Sequence, residues 1–164
     1  KSTIRRDLPM SDNNDGLHVR LFTEREEPED YERYIHGPEP DSDTIGKALK
    51  RFSDDSGITQ GQISLLTGIS RSCLYYYCKE QRKIGYENLI LLCVALRLHP
   101  LRQEYLFSLT PYKVRKSDPR YSIIRLFLAN CAFMEKYTVK ALNECIKAEG
   151  KEPLISKKRA GGNE

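Results

Sequence analysis

Apolar positions recur along the chain every three to four residues, and no stretch of strict alternation competes with them after residue 43. The first clear run is Thr44 to Asp54, with Ile45, Ala48, Leu49 and Phe52 on one face and Lys47, Lys50 and Arg51 on the other. Asp43 is the expected cap of that helix and Gly57 its stop. Two short helices follow within Ile58 to Lys83. Thr59 and Gln62 have the spacing of a capping box, and Ile63, Leu66 and Thr67 form the inward face. Gly68 ends the first of the pair, Ile69 plugs the turn, and Ser70 caps the second. On the second, Leu74, Tyr77 and Cys78 point one way, and Arg71, Ser72, Tyr75, Tyr76 and Lys79 the other.

Downstream, Tyr86 to Leu96 is apolar almost all round, which predicts a helix in the middle of a bundle. Pro100 opens another, with Leu101, Tyr105, Leu106 and Leu109 inward, which makes five helices by residue 110. After the basic connector at residues 112–119, Arg120 to Phe133 predicts an apolar helix through Tyr121, Ile124, Leu126, Phe127 and Leu128. Thr138 caps a last one, ending by Gly150, with Val139, Leu142, Cys145 and Ile146 inward.

The pattern thus divides the chain into an acidic, largely irregular arm (1–43), a five-helix unit (44–110), a C-terminal helical pair (111–155) and a frayed tail (156–164). Within the arm, Leu17 to Phe22 alternates weakly as an edge strand would, and Pro28 starts a short helix through Tyr31, Tyr34 and Ile35. The fold class is all-α.

Thr59-Gln60, Ile63, the Gly68-Ile69-Ser70 turn, Leu74 and the Leu89 to Leu96 stretch together resemble the Cro and phage-repressor (Xre-type) helix-turn-helix family over roughly residues 44 to 100. Four positions depart from that pattern: Ser64 stands at the small-residue position after the first helix's apolar residue, Cys78 and Glu80 where Glu and Gly usually close the second helix, and Ile84 where Pro usually follows. The resemblance implies a lambda-repressor-like domain that reads duplex DNA with its second short helix. Carried onto this chain, the base-contacting candidates are Arg71, Ser72, Tyr75 and Tyr76. The phosphate-contacting candidates are Thr59, Gln60, Ser70, Lys79, Arg82 and Lys83.

The side chains support that assignment on their own chemistry. A guanidinium at Arg71 can bond guanine O6 and N7 together, and free N–H groups at the first helix's N-terminus favour a phosphate beside Gln60. Tyr75 and Tyr76 can touch a thymine methyl or a phosphate; they equally suit a protein interface, or stacking on unpaired RNA bases. The alternative function is therefore a helix-turn-helix unit used as a protein-interaction module, as in an antitoxin-like partner-binding protein.

Charge sharpens the picture. The net +4 hides 6 Lys/Arg against 12 Asp/Glu in residues 1–43 and 21 against 11 in residues 44–164, an acidic head on a basic body suited to a polyanion. The acidic stretch Glu24 to Glu32 is a solvated tail, a docking arm for a partner protein, or a competitor for the basic face. Five cysteines, odd in number and with no Cys-x-x-Cys, point to buried thiols in a reducing cytoplasm, with a redox role for Cys73 and Cys78 as the alternative. No apolar run is long enough for a membrane span, and no cofactor or metal is expected. His18, His36 and His99 lack helical-spaced carboxylates, and no phosphate loop or activated nucleophile is visible, which argues against an enzyme. The C-terminal pair carries more Ile, Leu and Phe than one small face needs, and serves as a packing extension or a homodimer surface.

Overall fold

The computed structural model describes residues 28–154; the predicted 17–22 strand, the 156–164 tail and most of the acidic arm lie outside them. Among the described residues the chain is all-α: α1 (Pro28–His36), α2 (Ile45–Ser56), α3 (Gln60–Thr67), α4 (Arg71–Cys78), α5 (Tyr86–Ala95), α6 (Pro100–Ser108), α7 (Tyr121–Asn130) and α8 (Val139–Ala148), with a 3₁₀ turn at Pro40–Ser42. No helix among these residues is long and apolar enough to cross a membrane.

The central element is α5. Every residue from Leu89 to Leu96 is buried, as its unbroken apolar run predicts, and the helix packs against α3, α7 and α8. Ile124, Phe127 and Leu128 of α7 and Leu142 and Ile146 of α8 join Leu49, Phe52, Ile63 and Leu74 in one continuous core, so the five-helix unit and the C-terminal pair share a single interior. Of the two readings of that pair, packing onto the core is observed.

Local signals explain the element ends. The Thr59 hydroxyl accepts from the Gln62 N–H at 3.2 Å while Gln62 Oε1 accepts from the Thr59 N–H at 2.8 Å, completing the capping box. Gly57 and Gly68 take the left-handed conformation that terminates α2 and α3.

Several expected positions differ. The cap of α2 is Thr44, whose hydroxyl accepts from the Lys47 N–H; Asp43 turns inward instead, taking two hydrogen bonds from Arg51 and one from the Tyr105 hydroxyl at 2.6 Å. Arg51 is correspondingly not on the outer face. It also donates to the Ile35 carbonyl, joining α2 to the end of α1. Leu66, Leu101, Leu126 and Cys145 are exposed rather than inward, because each sits one position off a stripe whose other members already fill the core. The seventh helix ends at Asn130, three residues early.

The short helix expected from Pro28 is α1, a 3₁₀ turn follows at Pro40–Ser42, and this part of the arm is docked rather than loosely draped. Arg102, buried on α6, stacks on the Tyr34 ring at 3.6 Å and on Phe52 at 4.4 Å, donates to the Tyr34 carbonyl, and pairs with Asp55 at 2.7 Å. A single guanidinium therefore fastens α1, α2 and α6 together.

Candidate nucleic-acid interface

The three residues Gly68, Ile69 and Ser70 join α3 to α4. Thr67 locks the turn by donating its hydroxyl to the Ile63 carbonyl at 2.7 Å and accepting from the Ile69 N–H at 3.1 Å, while Ile69 is fully buried. Ser70 Oγ then accepts from the Cys73 N–H, starting α4. Cys73, Leu74 and Tyr77 anchor α4 inward. Asn88 of α5 donates to the Tyr77 hydroxyl at 2.8 Å, and burial, reinforced by the Cys73 thiol, pushes the Tyr77 pKa up to about 12.

Two backbone features set the pose of α4. Gly46 lets α2 approach so closely that a Cβ there would stand 2.6 Å from the Cys78 carbonyl oxygen and 2.9 Å from that of Tyr77. Glu80 adopts φ 57° and closes the helix through hydrogen bonds from Glu80 N to Tyr77 O and from Gln81 N to Tyr76 O.

All ten candidate residues are exposed. Tyr75 and Tyr76, 49% and 43% accessible, meet edge to face at 5.7 Å, and the Lys79 ammonium lies 5.8 Å from the Tyr75 ring. Thr59, Gln60, Tyr75 and Lys79 converge on a cleft of about 400 Å³ between α2, α3 and α4, together with Lys50, which is paired to Asp54 at 2.7 Å. Cys78 lines the same cleft, and burial pushes its thiol pKa up, against the redox reading.

Arg71 and Arg82 are placed less simply. The Arg71 guanidinium lies over Gly61 in the first turn of α3, where a Cβ would come within 2.7 Å of it. Arg82 folds back to donate to Cys73 Sγ at 3.4 Å. Ser72 and Lys83 are exposed without entering these contacts. Sequence reasoning overlooked Gly61 as the bed for Arg71, although a glycine in a helix's first turn is itself a signal of close approach.

No protein-family model, curated protein or solved structure matches the chain.

Proposed function

We propose that this protein is a sequence-specific duplex-DNA-binding transcriptional regulator of the Xre type, working in the cytoplasm, with α4 entering the major groove. The observation that carries the reading is the outer face of α4: Arg71, Ser72, Tyr75, Tyr76 and Lys79 are all exposed while Leu74 and Tyr77 hold the helix from behind. The α3 N-terminus beside Gln60 is open to a phosphate, with the Arg71 charge within reach of the same turn. Two copies with recognition helices about 34 Å apart would read inverted half-sites.

A second reading, a protein-interaction module, is favoured by Leu65 and Leu66, which put 87% and 48% of their surface into solvent on α3.

Selection of randomised duplexes at about 150 mM salt, repeated with Arg71→Ala and Lys79→Ala, separates the two. Under the DNA reading a motif is enriched, Arg71→Ala loses about 1 to 3 kcal/mol and relaxes one base position, and Lys79→Ala weakens every sequence while lowering the salt slope by about 1. No enrichment from a folded protein refutes it.

A further inference from the structure

The α6–α7 side of the molecule carries a groove of about 670 Å³, within the range typical of small-molecule sites and apart from the α3–α4 face. Its walls are Phe107, Tyr112 and Leu128, and its outer wall is held in place: the Arg115 N–H donates to the Tyr86 hydroxyl at 3.2 Å, and Tyr86 packs against Tyr112 with ring centroids 6.1 Å apart.

The floor is Gln103, only 6% exposed. Its Nε2 donates to the carbonyls of Leu98 and Leu128, both at 2.7 Å, which fixes the orientation of the amide, because only the nitrogen can serve two carbonyls. Oε1 is therefore the remaining polar atom, and no described residue donates to it. Nor is it sealed away: among the described residues, the unpaired side-chain atoms wholly cut off from solvent are Arg51 Nε and Arg97 Nε. With its nitrogen committed, the amide presents Oε1 as a fixed acceptor to which a ligand's N–H or O–H can donate in place of solvent. At the rim stand Arg125 and Lys113, with Glu104 opposed to neither in an ion pair among the described residues.

From this arrangement we infer that the α6–α7 groove binds a small aromatic anion bearing an N–H or O–H donor. The ring lies between Phe107, Tyr112 and Leu128, the donor meets Gln103 Oε1, and the acidic group meets Arg125 and Lys113. This assignment is independent of the DNA reading.

The probe is indole-3-acetate, titrated against the full chain by calorimetry alongside its N-methyl derivative, which tests Oε1 from the ligand side without disturbing the structural bonds of Nε2. Saturable one-to-one binding is expected, weakened about tenfold for the N-methyl compound and about tenfold by Arg125→Ala with Lys113→Ala. Filling the groove with Ala129→Trp should abolish it at an unchanged melting temperature. Absence of saturation up to about 10 mM overturns the assignment, as does equal binding of the two compounds or full retention in the tryptophan variant. Should the tryptophan variant fail to fold, the N-methyl comparison and the charge variant decide alone.

Discussion

Gly46→Ala tests the close approach of α2 to the last turn of α4. Ordinary contact with a Cβ begins near 3.4 Å, and the Cys78 carbonyl oxygen would lie at 2.6 Å, so the last turn of α4 must withdraw from α2 by about 0.8 Å. The third neighbour, Glu80 Cγ, also at 2.6 Å, belongs to an exposed side chain that rotates away, but the two carbonyls cannot. Overpacking of this kind costs about 1 to 3 kcal/mol, and alanine recovers up to about 1 kcal/mol through its better helix propensity. The net expectation is a loss of about 1 to 2 kcal/mol, or about 3 to 8 °C in melting temperature. Urea unfolding should move to a lower midpoint at unchanged slope, with amide shift changes concentrated at residues 77–80. An unchanged or higher midpoint would refute the claim that α2 and α4 meet through this glycine.

Further expectations rest on separate features. Glu80→Gly removes a left-handed non-glycine residue and should raise stability by about 0.5 to 1 kcal/mol in thermal unfolding; a decrease would mean that the Glu80 side chain outweighs its backbone strain. Arg102→Met should cost about 2 kcal/mol and expose residues 28–43 to limited proteolysis, since the stacking on Tyr34 and Phe52, the hydrogen bond to the Tyr34 carbonyl and the Asp55 pair go together. At acid pH, burial raises the Asp43 pKa but the hydrogen bonds from Arg51 and Tyr105 outweigh it, and the Arg120 hydrogen bond lowers that of Asp118. Both therefore lie below the ordinary carboxylate value, and urea midpoints should hold above about pH 4 and fall below it. At alkaline pH, burial lifts Tyr77 and Tyr105 to about 12, so stability should persist to about pH 10 and be lost between there and pH 12, with Tyr105→Phe removing part of that loss.

What the sequence disclosed was local. The capping box at Thr59, the left-handed glycines and the all-apolar run of α5 are signals within a few residues of their effect, and each is realised. Where reading failed, the deciding partner was distant in the chain. Asp43 looks like a cap until Tyr105, 62 positions on, and Arg51 draw it inward, and residues 28–43 look loose until Arg102 supplies their anchor. The exposed face of α4 was legible from its 3.6-residue period. The resting place of Arg71 on Gly61 was not, since it depends on how α3 and α4 cross.

Under the proposed DNA reading, that resting place bears on how the protein would search a chromosome. A guanidinium parked on the first turn of α3 would offer its charge to the sugar-phosphate rail of any sequence without committing to a base. Swinging off Gly61 toward a guanine would exchange that general grip for a particular one. Scanning and stopping would then be two rotamers of one side chain, and Gly61→Ala, by crowding the scanning rotamer, should shorten residence on random DNA more than on the preferred site.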